Sequence, residues 1–296
     1  MIPVEEAIKR VQFHVEPLNS VLVKTTLDAG GWVLAESIRS PINMPPFRQS
    51  AMDGYAVHTH DKLNYKLIGE VKAGDDHQPE LKSGEAVRIF TGAAVPDSAD
   101  AVVIQEKVTV EKEYIHSEEP VHLGSNIRPL GEQVKQGDLA LKKGTFLTPA
   151  AIGYLSSLGI ENIPVYHKPR IAIVITGNEL IDPGTELTYG KIYESNSTML
   201  LSILKSMNYE QVSIYKVQDD YITTKNALKE IIQQHDLVLV SGGISVGDYD
   251  FVGKALTELN VEQVFYKVNQ KPGKPLYFGK KNSSYVFALP GNPASA

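Results

Sequence analysis

Asp236-Leu237-Val238-Leu239-Val240-Ser241-Gly242-Gly243-Ile244-Ser245-Val246-Gly247-Asp248-Tyr249-Asp250 is the stretch on which the fold is decided. Residues 236–240 are a short apolar run, the pattern of a buried parallel strand. Residues 251–259 read as a helix. A strand that runs into a glycine-rich turn and then a helix is where an α/β sheet exposes backbone N–H groups to an anion. Gly242, Gly243 and Gly247 let the backbone approach a ligand with no Cβ in the way. Asp248 and Asp250 would repel a phosphate there unless a hard cation lay between them. The stretch therefore reads as a phosphate-plus-metal site, or as a loop that only turns the chain.

The surrounding sequence repeats the pattern. Strands are expected over 170–175, 212–217, 237–240 and 264–267. Helices are expected over 199–207, starting near Ser197, and over 221–234 and 251–259. Alternating strands and helices mean βαβ units and a mainly parallel sheet. Ligands bind outside the carboxyl ends of such strands. Thr176-Gly177-Asn178-Glu179, Asp219-Asp220 and the opening stretch all fall there, and Lys271-Pro272-Gly273-Lys274-Pro275 follows the last strand. Glu179, Asp219, Asp248 and Asp250 can converge on a hard divalent ion, with ligand phosphate completing its shell. Helix capping is the competing role for Asp219 and Asp220. Lys267, Lys271 and Lys274 suit phosphate or another oxyanion as compact positive charges; the competing role is a solvated surface.

Towards the N-terminus, residues 4–14 read as an amphipathic helix with Val4, Ala7, Ile8 and Val11 on one face. Residues 21–23 read as a strand, 28–31 as a turn, and 32–35 as a further short element. The prolines between 41 and 46 break regular structure. Asp53-Gly54 is a turn signal, so Asp53 has a structural role open to it beside a functional one. Residues 65–68, 85–90, 101–104 and 107–110 read as strands of a small β-domain. Thr91-Gly92-Ala93-Ala94 follows one of them and either lines a pocket or makes a tight turn. Thr148-Pro149 starts a helix, with Thr148 as N-cap, that turns Ile152, Leu155 and Leu158 inward and stops at Gly159. The expected fold class is multidomain α/β. Residues 1–40 form a helix and linker packed with 140–168, a helical connector. Residues 41–139 form a β-rich domain. Residues 169–296 form a three-layer α/β domain.

Composition narrows the function. Of 296 residues, 42% are apolar and 22% charged, as in an ordinary soluble globular protein. No apolar run reaches the length of a membrane span, and residues 1–6 lack the apolar segment of a secretory signal. The absence of cysteine excludes disulfides and thiolate ligands and fits a cytoplasmic setting. Any metal must be held by oxygen or imidazole. The net charge of −6, with no dense Lys/Arg cluster, argues against nucleic acid as a partner. The eight histidines show no metal-ligand spacing, and no Ser-His-Asp set is suggested.

Seven stretches together resemble the molybdopterin molybdenumtransferases, the MoeA and gephyrin C-terminal-domain family: PPFRQSAMDGYAV, EVKAG, RIFTGAAVPDSADAVVIQE, ITGNEL, SGGISVGDYDFV, KPGKPLYFG and LPGNPASA, spread over residues 45–296. The resemblance implies an enzyme of molybdenum cofactor biosynthesis that inserts molybdate into adenylated molybdopterin. Release of AMP would depend on Mg²⁺ or another divalent cation. It also implies a cytoplasmic homodimer whose cleft combines the α/β domain of one subunit with the β-rich domain of the other. A molybdopterin adenylyltransferase is a candidate partner. Carried over by motif, Asp53, Glu179, Asp219, Asp250, Lys267 and Lys271 would be catalytic. Thr91, Ser241, Gly242, Gly243 and Lys274 would bind the cofactor precursor, and Glu179 and Asp250 the metal. Gln133 departs from the family's usual acid after Gly-Glu and is left unassigned. The family's further small β-domain is not in the sequence; residues 290–296 read as the start of a helix, so the natural protein is expected to continue. An adenylyltransferase would account for residues 170–290 and leave 41–145 idle. A gephyrin-like scaffold and the use of tungstate are the other readings the resemblance leaves open.

Overall fold

A computed structural model describes residues 1–24, 29–244 and 251–296. It divides into two compact units, Met1–Val21 with Tyr166–Ala296, and Leu22–Val165.

The first unit is built on a sheet ordered Val212–Val217, Ile171–Thr176, Leu237–Ser241, Ser284–Leu289, Tyr277–Lys281, Glu262–Tyr266. The first four strands run parallel. Tyr277–Lys281 is antiparallel to both its neighbours, so Glu262–Tyr266 again points with the first four. The carboxyl ends of five strands therefore share one edge. Every residue of Ile171–Thr176 is buried, as an all-apolar strand paired on both sides requires. Its side chains alternate between two layers. Ala172 and Val174 pack with Leu228, Ile231, Val252 and Leu256 of the Tyr221–Gln234 and Phe251–Glu258 helices. Ile171, Ile173 and Ile175 pack with Leu204 of the Asn196–Ser206 helix. The expected three layers are present. The Tyr277–Lys281 and Ser284–Leu289 hairpin was not anticipated, and it carries one of the central strands.

The N-terminal helix corrects the expected organisation. Val4–His14 belongs with the α/β unit rather than with residues 140–168. Ala7 is buried among Phe265, Val268, Phe278 and Tyr285, with Ile2 and Val11 packed alongside. The Tyr285 hydroxyl accepts from the Glu16 N–H at 2.8 Å and donates to the His14 carbonyl at 3.0 Å, which pins the end of the helix. Val4 and Ile8, expected on the buried face, are exposed. A helical stripe in sequence marks a face but not how much of it a neighbour covers.

Arg170 and Asp236 close the opposite edge of the sheet. The guanidinium donates from Nε at 3.2 Å and from a terminal nitrogen at 3.0 Å, and the Arg170 N–H adds a bond of 2.8 Å. Burial pushes the Asp236 carboxyl up, but these bonds and the Arg170 charge outweigh it and hold the carboxyl below its ordinary range. A depressed carboxylate contributes stability above its unfolded-state value and loses it as pH falls through the folded one. Asp236→Asn is expected to cost about 1–3 kcal/mol at neutral pH. That difference should shrink as the pH drops below the carboxylate range. Urea unfolding across a pH series measures it, and a difference unchanged in strong acid would contradict the assignment.

The second unit centres on a mixed sheet ordered Ala101–Ile104, Gly54–Val57, Glu85–Ile89, Asn64–Val71, Tyr114–Ser117, Val108–Glu111. Glu85–Ile89 and Asn64–Val71 are parallel; the other pairs are antiparallel. Gly54–Val57 is buried throughout. Tyr55 and Val57 face a core with Tyr65, Ala86, Val103 and Ile115, while Ala56 faces another with Val87, Ile89 and Val102. Gly54 does not turn the chain, as Asp53-Gly54 suggested. It is the first residue of this central strand, and a Cβ there would lie 2.0 Å from the Val103 carbonyl oxygen. Thr148 caps the Pro149–Ser157 helix as expected, accepting from the Ala151 N–H at 3.2 Å. Leu155 and Leu158 are buried.

Candidate functional site

The parallel register aligns Thr176 with Val217, Ile175 with Ser241, and Ser241 with Leu289. The loops that follow these strands meet at one edge. Gly242 and Gly243 make the turn, with φ of 95° and 61°. A Cβ on Gly242 would meet the Thr176 carbonyl oxygen at 2.3 Å. One on Gly243 would meet Val252 at 2.7 Å and the Thr176 hydroxyl at 2.9 Å, so only glycine passes between the Ile171–Thr176 strand and the Phe251–Glu258 helix. The same hypothetical Cβ lies 3.7 Å from Asp219 Oδ1, which brings Asp219 to the turn. The Asp219 N–H donates to Asn178 Oδ1 at 3.1 Å and ties its loop to residues 177–179.

Asp219 and Asp220 divide the roles left open for them. Asp220 caps the Tyr221–Gln234 helix, accepting from the Thr223 N–H at 2.9 Å. Asp219 does not cap. Burial first, and then the charges of Glu179 and Asp220, push its carboxyl above the ordinary range. Its Oδ1 is buried and has no hydrogen-bond partner among the described residues, and the same holds for Thr176 Oγ1 and Asn196 Oδ1. Buried polar atoms are normally satisfied, so three such atoms near one turn leave hydrogen-bonding capacity that the described residues do not fill. Glu179 and Asp219 offer two oxygen donors under like-charge pressure, which fits a hard divalent cation. Mg²⁺ commonly uses one or two carboxylates with water and substrate phosphate. No group of three or more metal-ligating side chains occurs among the described residues. Asp250, the other expected metal ligand, and Asp248 and Gly247 lie outside the described residues.

The lysine loop joins the same edge. Lys267 has φ of 71°, unusual for a long side chain and a common mark of functional strain. Its backbone is held from both sides: its N–H donates to the Leu276 carbonyl at 3.0 Å, and its carbonyl accepts from the Ile2 N–H at 3.2 Å. Its ammonium lies 5.0 Å from the centre of the Tyr266 ring. Lys271 and Lys274 are exposed. Residues 290–296 link this loop to the glycine turn: Gly291 lies against Gly242, and Ser295 against Gly273. Asn292 opens a single turn here, its side chain accepting from the Ala294 N–H at 3.0 Å. Ser241, at the end of its strand, and Glu179, Asp219, Gly242, Gly243, Lys267, Lys271 and Lys274, on the loops that follow strands, thus all lie at this edge.

Asp53 and Thr91 belong to the other unit, where they meet each other. The Thr91 N–H and hydroxyl both donate to Asp53 Oδ1 at 2.7 Å. The backbone bond, then the hydroxyl bond, hold the Asp53 carboxyl below its ordinary range. Thr91 has spent its hydroxyl proton and has only lone pairs to offer a ligand. The Arg88 guanidinium adds its charge beside Asp53 and packs over the Tyr55 and Phe90 rings, 5.1 and 4.9 Å from their centres.

Sequence reading names Ser197 only as a helix start and does not single out Glu194 or Asn196. Glu194 is buried and accepts from the Ser197 N–H at 2.8 Å and from the Ser197 hydroxyl, which closes the start of the Asn196–Ser206 helix. Asn196 donates to Ser241 Oγ at 2.7 Å and to the Gly291 carbonyl at 2.9 Å. The available signal was Glu-Ser-Asn-Ser before a helix, a pattern of polar residues that caps well and says nothing of distant partners.

Comparison with known proteins decides the family. Residues 2–159 match the MoeA N-terminal region (domain I and II), and residues 172–296 match the probable molybdopterin binding domain. A molybdopterin molybdenumtransferase of Haemophilus influenzae is 40% identical over 273 residues, which cover 91% of this chain and 67% of that one. This chain belongs to the molybdopterin molybdenumtransferase family. The Staphylococcus aureus (strain Mu50) protein of that name is 34% identical over 99% of this chain and 72% of its own. Among solved structures, the molybdopterin biosynthesis moeA protein from Pyrococcus horikoshii OT3 is 34% identical with a TM-score of 0.83. The match covers all of this chain and 75% of that one. The expected family and fold class are therefore correct.

Proposed function

We propose that this member of the family transfers molybdenum into molybdopterin in molybdenum cofactor biosynthesis, acting on adenylated molybdopterin and molybdate with release of AMP. The observation that carries this reading is the glycine turn at Gly242 and Gly243, near three buried polar atoms with no partner among the described residues, on the edge that also bears the carboxylates and lysines. A phosphoanhydride and an oxyanion are both negative, and bringing them together costs repulsion. The lysines of residues 267–274 offset it as fixed positive charges. Glu179 and Asp219, with Asp250, would hold Mg²⁺ or a similar ion. Such an ion supplies charge neutralisation of the phosphate oxygens when bound. No protein nucleophile is required; the chain's own groups bind, orient and neutralise. Asp53 and Thr91 would act from the β-rich domain of the second subunit of a homodimer. The proposed setting is the cytoplasm, with a molybdopterin adenylyltransferase supplying the adenylated substrate. No helix among the described residues is long and apolar enough to cross a membrane.

The test is incubation of the full-length protein with adenylated molybdopterin, molybdate and Mg²⁺, following AMP. Molybdate-dependent release is expected. No release would overturn the reading, and formation of an adenylate from ATP and molybdopterin would replace it with the adenylyltransferase.

A further inference from the structure

The structure assigns Asn196 as a positioning residue that fixes the Ser241 hydroxyl as a hydrogen-bond donor to an anionic ligand oxygen; this rests on the reading of the site given above. Asn196 is 6% exposed and Ser241 2%. The Asn196 amide makes two bonds from the same nitrogen, to Ser241 Oγ at 2.7 Å and to the Gly291 carbonyl at 2.9 Å. A carbonyl can only accept, so the Gly291 bond identifies this atom as the amide nitrogen. It follows that Ser241 Oγ is an acceptor in its own bond to Asn196. The serine proton is then free to point elsewhere, and no described residue accepts it. Ser241 immediately precedes Gly242, so that proton is available at the turn where three buried polar atoms lack partners among the described residues.

The second bond has a separate effect. Gly291 packs on Gly242, its hypothetical Cβ lying 3.4 Å from the Gly242 Cα. By holding the Gly291 carbonyl, Asn196 links the loops after two neighbouring strands and sets the width of the turn from one side. Asn196 Oδ1 is left as a buried acceptor without a partner among the described residues. Unlike Glu179 and Asp219, Asn196 brings no charge. It acts on the polarity of its neighbour.

The test uses pyrophosphate as probe, titrated into the full-length protein with Mg²⁺ present and followed by calorimetry. Asn196→Ala and Ser241→Ala are each expected to weaken binding about tenfold, the lower range for a hydrogen bond to a charged group. The double variant should bind no more weakly than the weaker single one, because both remove the same donor. Asn196→Asp keeps the side-chain volume but turns the serine proton towards the carboxylate. It should weaken binding at least as much as Asn196→Ala, which keeps the idea testable if the alanine variant does not fold. In the AMP assay the loss should fall on KM for the adenylated substrate, with kcat within about twofold, as for removal of uniform binding. Effects of the two alanine variants that multiply would overturn the role through Ser241. So would unchanged pyrophosphate binding in Asn196→Ala, or a wild-type protein that does not bind pyrophosphate. Normal pyrophosphate results with no AMP release would instead count against the proposed reaction alone.

Discussion

Gly54→Val is expected to unfold the β-rich unit. The substituted Cβ would lie 2.0 Å from the Val103 carbonyl oxygen, 2.9 Å from its carbon and 3.1 Å from the Ile104 Cα. All three are backbone atoms of the neighbouring strand, so no side chain can swing away to make room. Gly54–Val57 pairs with Glu85–Ile89 on one side and Ala101–Ile104 on the other, and both its faces are buried. The clash can be relieved only by parting two central strands. Ordinary overpacking costs about 1–3 kcal/mol; loss of central pairing should exceed about 4 kcal/mol, a large part of a domain's stability. Denaturant unfolding should lose the transition of this unit or bring it to much lower denaturant. Gly69→Ala is the control, since nothing lies within 4 Å of its Cβ position. It should change stability by no more than about 1 kcal/mol. A Gly54→Val protein with the wild-type midpoint would show that the strands tolerate the contact.

Asp219→Ala should remove nearly all molybdate-dependent AMP release while leaving the fold intact. The Asp219 carboxyl is part of no cap and no ion pair among the described residues, and its Oδ1 is buried without a hydrogen bond. Burial and the nearby Glu179 charge oppose its ionisation. Such an arrangement is a cost to the folded chain, so removing it should not lower the melting temperature in the absence of divalent cation. Binding of a cation would turn that cost into an attraction. Mg²⁺ should therefore raise the melting temperature of the wild-type protein and have less effect on the variant. The rate should fall about 10²–10³-fold, the range for losing one preorganised charge-stabilising group. Activity within a factor of a few of wild type would remove Asp219 from the reaction. A variant that unfolds would instead make its role structural.

Local patterns were legible in the sequence, and distant partnerships were not. Ile171–Thr176 could be read because a strand paired on both sides is apolar at every position. Thr148-Pro149 could be read because capping is settled within one turn of helix. The Gly242–Gly243 turn could be read because positive φ is encoded by the residue that adopts it. Asp53-Gly54 carries an equally local signal and misled. Its glycine serves a close approach of two strands, which lies 49 residues further along the chain at Val103 by the numbering of the two residues. The partners of Asn196 are 45 and 95 residues away. Asparagine before a helix is so well explained by capping that no further role is suggested. Ser284–Leu289 is a short apolar run of the kind that periodicity cannot assign, and only its pairing with Leu237–Ser241 identifies it as a central strand.

The docking of Val4–His14 has a consequence for how the protein is made. Arg10 reaches Val264, and Glu16 reaches Tyr285, across sequence separations of 254 and 269 residues. A ribosome adding about 5–20 residues per second needs roughly 13–54 s to cover those separations. For that interval Val4–His14 has no docking surface, while the β-rich unit between, Leu22–Val165, receives all of its own strands first. The α/β unit can therefore be completed only after the β-rich unit has been synthesised, and the backbone bonds between Ile2 and the Lys267 loop wait for the same stretch. The lysine loop acquires its final support only when Ile2 meets residues 267–269, two segments made on either side of the β-rich unit.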